Sequence, residues 1–548
     1  MNKGLKIGLI AGGSVMLLGA AALFIWLKFG KTDAHLRLIP KEATTVAIIN
    51  VRNLFTKADP KKLMLLPVFQ KSMNTGSMSP EMKKLMQDPT DLGADITQNI
   101  AGFINQRDGV TTSGLVFKIN DGGRFASAIS KIGGYTRPNK VDGTWYIPIE
   151  SYVGLCWNDE AGVLFIGNAL IDESNQQQAE RLLHQPEEYS ILDNPNYKAF
   201  AAQDFDIGLM VDNNVVQRNA GDNSWMDMYN MFGSPTGWSD VLINFEESTV
   251  DIRSTVHQGD VQTSVLRSSG PEANHLQALA DKNPIGFLSA ALDLKALLTQ
   301  LRADANMKRN LESIEDELGM PMEDLLRSFS GDMSLALTDY RNIMDEDPLL
   351  KAKMEAMRKT YLEFNSRFDG FESDEEFEYP SVLEVPVFVL NLGIKDTVIP
   401  SKLVREEFRM QRTDEGFYSG ASGMGANVYV AMKGSHMIVT NSYGTAAELM
   451  RNGKLQGKPA ADVDVKGPLT GRFELTPEKM PVSFTEMLKK DMGNASYMRM
   501  TRISKPLQYI SLSGEGNTNV LKLHVAPGDG GNTLYRLLVH AAEVANTL

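Results

Sequence analysis

Seven histidines are the residues best suited to bind a metal or move a proton, and they stand at positions 35, 184, 257, 275, 436, 524 and 540. No two of them come at metal-ligand spacing, and the chain contains no CxxC or HExxH pair. Its one cysteine, Cys156, lies in the apolar run YVGLCW, the setting of a buried thiol rather than of an activated nucleophile. Gly420-Ala-Ser-Gly-Met-Gly425 departs from GxGxxG, lacks the lysine of a phosphate loop and leads into a strand, so it reads as a hairpin turn. Ser422 fails the GxSxG pattern of a nucleophile elbow. No catalytic residue, cofactor or metal is therefore expected, and the chain reads as something other than an enzyme.

Contact chemistry is better represented. Leu350, Met354, Met357, Tyr361, Phe364 and Phe368 recur at alternating spacings of four and three, which places them along one seam of a helix. Such a seam either packs on its own domain or receives a partner. Behind it Glu363, Asp369, Glu372, Asp374, Glu375, Glu376, Glu378 and Glu384 face only Arg367, which reads as a solvated acidic loop. Its Asp369-Gly-Phe-Glu-Ser-Asp374 carries glycine at the second position and does not match a calcium loop. Farther upstream Trp225, Met226, Met228, Tyr229, Met231, Phe232 and Trp238 crowd into one stretch, and methionine mixed with aromatics makes adaptable contact surfaces. Burial under a sheet is the alternative there. Trp225, Met228, Met231 and Phe232, with the six seam residues, are the candidate partner contacts.

The elements that would position these residues come twice. PKEATTVAIINVRNL at Pro40 to Leu54 is restated as PIGFLSAALDLKAL at Pro284 to Leu297, each a proline, a short apolar strand and then Asn50-Val51 or Asp293-Leu294. In the first half, strands follow at Ser113 to Ile119, Trp145 to Ile149, Val153 to Trp157, Val163 to Ile166 and Ile207 to Val211, with a closing hairpin from Val241 to Val256. The second half answers with Val387 to Leu392, Phe417 to Ser419, Asn427 to Met432, His436 to Asn441, Leu469 to Leu475 and a hairpin at Tyr509 to Val525, and Leu318-Gly319 answers Leu92-Gly93. The expected fold is α+β: two duplicated modules, 39–257 and 284–548, each a mainly antiparallel sheet with flanking helices. Residues 31–38 and 258–283 are linkers, and 340–384 is a helical and acidic insertion confined to the second module.

Composition narrows the partners. A net charge of -13 and a pI near 5.2 repel a phosphate backbone, which excludes nucleic acid as the main partner. Ile7 to Leu27 carries no charge and as a helix would be about 30 Å long, enough to cross a bilayer. Apolar residues continue through Leu23-Phe-Ile-Trp-Leu27, beyond the small residues of Gly19 to Ala22, so an uncleaved anchor is expected over a signal peptide. Residues 1–30 then form a cytoplasmic tail and transmembrane helix, with the bulk in the periplasm. The opening IPKEATTVAIINV, the block DPTDLGADITQNI with GRFASAI after it, and NPNYKAFAAQDFDIGLMVD together resemble a Bacteroidota cell-envelope family known only as a domain of unknown function. That resemblance implies a compartment and, commonly, a lipoprotein; the absence here of a cysteine after a short signal agrees with an anchor instead. The expected function is a binding or scaffold component of a membrane-associated assembly whose partners are other envelope proteins. A carrier or sensor of an apolar ligand held between the modules is the second reading, and an enzyme with a site invisible in the sequence the third.

Overall fold

The computed structural model describes residues 34–66, 70, 92–95, 97–107, 110–133, 138–150, 153–167, 174–215, 237–257, 265–271, 285–303, 305–342, 347–366, 384–421, 427–453, 467–528 and 531–545. Contacts divide the chain into two compact units. The first takes the described residues within Met1–Met226, Ser234–Val261 and Val525–Leu548, and the second those within Gln262–His524. Ile7 to Leu27 lies outside the described residues, among which no helix is long and apolar enough to cross a membrane.

The strands of the first unit are β1 (Thr45–Ile49), β2 (Ala94–Asp95), β3 (Ile100–Arg107), β4 (Val110–Ile119), β5 (Asn139–Val141), β6 (Thr144–Glu150), β7 (Val153–Trp157), β8 (Ala161–Ile166), β9 (Ile207–Asp212), β10 (Trp238–Phe245) and β11 (Thr249–His257). They pair antiparallel in the order β11-β10-β9-β1-β3-β4-β8-β7-β6-β5, with β2 beside the end of β4. Helices α1 (Val51–Ala58), α2 (Pro60–Leu65), α3 (Gly122–Gly133), α4 (Asn175–Leu183) and α5 (Pro195–Ala201) accompany them. Alternation along β1 buries Val46 and Ile48, which join Phe103, Val116 and Met210 beneath Leu183 of α4 and Phe200 of α5. On the opposite face, Phe125 of α3 packs with Ile119, Leu155 and Trp157. Trp157 is fully buried; its indole N–H donates to the Gly122 carbonyl at 3.0 Å and its ring stacks on Trp145, so the one polar atom of a large apolar side chain is satisfied. Gly93 precedes β2 at φ +75°, where an added Cβ would lie 2.5 Å from the Asp121 carbonyl oxygen, so only glycine fits there.

The second unit contains β12 (Gly286–Ala291), β13 (Phe329–Asn342), β14 (Glu384–Ile394), β15 (Gln411–Arg412), β16 (Tyr418–Ala421), β17 (Asn427–Lys433), β18 (His436–Thr440), β19 (Leu469–Glu474), β20 (Leu507–Glu515) and β21 (Thr518–Val525). Its sheet is again antiparallel, in the order β20-β19-β12-β13-β14-β18-β17-β16-β15, which matches the first from β10 to β5 strand for strand. Three helices precede β13: α6 (Leu294–Ala303), α7 (Ala305–Leu318) and α8 (Met322–Arg327). Arg302 of α6 ties them together through Glu315 of α7 at 2.8 Å and Glu323 of α8. Gly319, at φ +61°, ends α7 as a left-handed helix terminator. Gly93 instead precedes a strand, and its carbonyl accepts from Asn120 N just past β4; just past β14, Lys395 N donates to the Ser328 carbonyl.

Five further helices follow among the described residues: α9 (Pro348–Ser366), between β13 and β14; α10 (Val398–Glu406); α11 (Tyr443–Asn452), which packs on β17 and β18; and α12 (Val482–Met492) and α13 (Asn494–Ser504), which make a helical hairpin between β19 and β20. Last in the chain, α14 (Thr533–Ala545) belongs to the first unit, where it packs on α1 and α2. Asn532 Nδ2 donates to Phe245 O at 2.8 Å and Thr533 N to Glu246 O at 3.1 Å, while the Arg536 guanidinium donates to Glu247 O. Those bonds fasten α14 to the turn of the β10–β11 hairpin.

The restated opening has a local cause. Asn50 caps α1 by accepting from Asn53 N at 3.1 Å, and Asp293 caps α6 by accepting from Lys295 N and Ala296 N at 3.0 Å. Each side chain satisfies amide donors that the helix itself leaves open. Asn50→Ala and Asp293→Ala are each expected to cost about 1 kcal/mol, read as paired shifts in denaturant midpoint. A cost confined to one of them would show that the two openings are not equivalent caps.

Candidate functional site

The structure brings the chemistry-bearing side chains together at three places. One is the base of the inserted helix. Asp347, buried, caps α9 by accepting from Leu350 N at 2.8 Å, and its other carboxylate oxygen accepts from the Tyr429 hydroxyl and, at 3.5 Å, from Asn427 Nδ2. Tyr429 lies edge-on to Phe417 and Tyr443, with centroids 5.6 Å apart in both pairs. Burial first, and then the bond to Asp347, holds the Tyr429 phenol well above its ordinary pKa. The first turn of α9 is thus locked to the β16–β18 meander. Beyond it the helix stands out: Leu350 is buried, Met354 and Tyr361 are half-buried, and Met357 is 51% exposed. Phe364 lies in α9, whereas Phe368, Trp225, Met228, Met231 and Phe232 lie outside the described residues.

A second place is visible only once the strands are paired. Trp238 and His257 are register partners on β10 and β11, and their rings stack at 3.8 Å with an interplanar angle of 8°. His257 Nε2 lies 2.8 Å from Asp240 Oδ2, the oxygen that also accepts from Gln203 Nε2 at 2.6 Å. Asp240 is fully buried. The ring is thus held on two sides, by the Trp238 face and by the Asp240 carboxylate. The second unit repeats the arrangement with other chemistry: Tyr509 stacks on His524 at 3.9 Å, and Ser511 Oγ lies 2.9 Å from His524 Nε2. By strand order Ser511 stands where Asp240 does. Arg472, the register partner of Ser511, covers the Tyr509 ring at 3.7 Å, while the register partner of Asp240 is Met210. One unit therefore carries a carboxylate against its histidine and the other a guanidinium against its tyrosine.

The third is an open groove of about 510 Å³ in the first unit, where Lys41, Asn105, Asn194 and Asp212 stand with the apolar Ala43 and Val215. Asp212 is the register partner of Trp238, which puts the groove beside the first histidine station.

The remaining reactive types are structural. Cys156 is fully buried, and burial pushes its thiol up to about 12. His35 Nε2 approaches the Asn99 carbonyl oxygen at 2.6 Å, and His436 approaches Asn391. Among the described residues no three His, Cys, Asp or Glu side chains are placed to hold a metal ion. Sequence reading missed both histidine stations, although a trace of them is there: aromatic-x-Asp in WSD and aromatic-x-Ser in YIS, each followed by a strand ending at or next to histidine.

A family model described as Domain of unknown function (DUF4836) matches residues 36–346, more than half of the chain. No curated protein matches it. Among solved structures, crystal form III of TP0453 is similar at 9% identity and a TM-score of 0.26, covering 42% of this chain and 82% of that one. Crystal form IV of TP0453 gives 10% identity and a TM-score of 0.25, covering 40% and 79%. Scores this low give the likeness no weight for fold or function.

Proposed function

The chain belongs to this family of unknown function, and on that premise we propose that it is a non-catalytic binding or scaffold component of a membrane-associated assembly in a Bacteroidota-type cell envelope. The observation that supports the reading most is the shared strand order of two units with unequal additions. We take the shared order as an internal duplication. A duplicated sheet supplies two rigid platforms, and the addition α9, which stands between β13 and β14 where β3 and β4 are joined by a short connection, is where contacts can differ without disturbing either core. The helix α9, locked at its base by Asp347 and exposed beyond, suits docking to another envelope protein. Ile7 to Leu27 serves as the anchor in this reading, with the bulk on the periplasmic side. Crosslinking in intact cells followed by mass spectrometry tests it: partners joined through residues of α9 are expected, and recovery as a free monomer alone would overturn it.

A further inference from the structure

The helical hairpin of α12 and α13 presents an exposed surface that is both cationic and apolar. Its first helix packs on β13 and buries Thr485, but from Lys489 to Ser496 every residue is exposed. Large apolar side chains stand in water there: Val482 at 72%, Met498 at 71%, Ile503 at 54% and Met492 at 42% exposure. They are interleaved with Lys489, Lys490, Arg499, Arg502 and Lys505, which face only Glu486 and Asp491 within the hairpin, in a chain whose net charge is -13. Lys489 Nζ lies 5.2 Å from the Tyr497 ring, and among the described residues none of Lys490, Arg499 and Arg502 is drawn into an ion pair. On α13 the helical period sets Met498, Arg499, Arg502 and Ile503 on the outward side, while Tyr497, Met500 and Thr501 turn inward.

Isolated exposed aliphatics need no explanation, but a helix face that mixes them with uncompensated cations has a specific fit. At a bilayer interface the apolar side chains enter the acyl boundary while the long cationic ones reach headgroup phosphates. An acidic protein would satisfy the charges and leave Val482, Met498 and Ile503 unused. We propose that the α12–α13 hairpin docks on an anionic lipid surface, giving the second unit a membrane contact separate from any anchor at Ile7 to Leu27. The proposal shares with the preceding reading only the placement of the chain at a membrane.

Cys156 makes the test clean, because a fully buried thiol pushed up to about 12 resists labelling and an added cysteine takes the probe. The full chain carrying Met498→Cys, labelled with an environment-sensitive fluorophore, is reconstituted into vesicles of phosphatidylcholine alone or with phosphatidylglycerol. Emission at 498 is expected to rise, and a lipid-borne quencher to reach it, only with phosphatidylglycerol; a label on Val398→Cys of α10, equally exposed, should respond in neither. Arg499→Glu with Arg502→Glu is expected to weaken docking by about tenfold or more at low salt, and an unlabelled Cys156 shows that the variant is folded. Equal emission at 498 in both vesicle types, or an equal rise at 398, overturns the proposal. Flotation with neutral vesicles reports the anchor alone, so loss of the anchor and loss of hairpin docking are read separately.

Discussion

Asp347→Ala is expected to destabilise the second unit by about 3 kcal/mol, since it removes a helix cap and strands the buried Tyr429 hydroxyl at once. Neither loss is repaired locally. Asn427 turns Nδ2 toward that hydroxyl and donates to it at 3.1 Å, so as oriented it does not accept the phenolic proton. Asp347→Asn keeps one oxygen, which can still cap through Leu350 N, but puts an NH2 donor where the Tyr429 hydroxyl needs an acceptor, so it should recover only the cap and cost about 2 kcal/mol. Hydrogen exchange separates this account from a general loss of packing. Amides of α9 should lose protection in Asp347→Ala before those of β17, because the cap serves the helix and the strand retains its ladder. Simultaneous loss across both would show that Asp347 acts only on the core.

Alkaline pH is expected to weaken the first unit through one atom. The Cys156 thiol is held at about 12 against an ordinary 9.0, chiefly by burial and secondarily by Glu180. Above 9 the unfolded chain releases this proton while the folded one keeps it, so stability is whole below pH 9 and falls as pH rises toward 12. Three pH units correspond to about 4 kcal/mol. Unfolding free energies of the native chain and of Cys156→Ala, measured from pH 8 to 11, should diverge in slope over that window. Parallel slopes would place the Cys156 thiol in contact with solvent. In the second unit, Tyr429 titrates above its ordinary value with the same sign, beginning near the usual phenol range, and therefore adds a later decline.

What could be read from the chain follows the range of the interactions involved. Caps are local, so Asn50, Asp293 and the Ser174/Gln177 capping box of α4 stand out in the sequence as written. Alternation is local as well, which is why the strands from Trp145 to Ile166 and the β10–β11 hairpin were legible as an antiparallel meander and its closing pair. The period of α9 was visible, yet how much of each side chain is covered depends on what lies opposite, and Met357 proves exposed although Leu350 is not. Gly319 and Gly93 read alike in sequence, yet glycine serves two purposes at positive φ, ending a helix at 319 and allowing close approach at 93. The histidine stations required register: Trp238 meets His257, and Tyr509 meets His524, across strands whose pairing no single stretch specifies.

The return of α14 to the first unit sets an order of events during synthesis. Its binding surface on α1, α2 and the β10–β11 turn is made early, but Thr533–Ala545 leaves the ribosome only after the whole second unit. For all that time Leu63 of α2 and its neighbours wait without their cover, as a surface a chaperone can hold. A frameshift anywhere in the second unit thus also leaves the first unfinished.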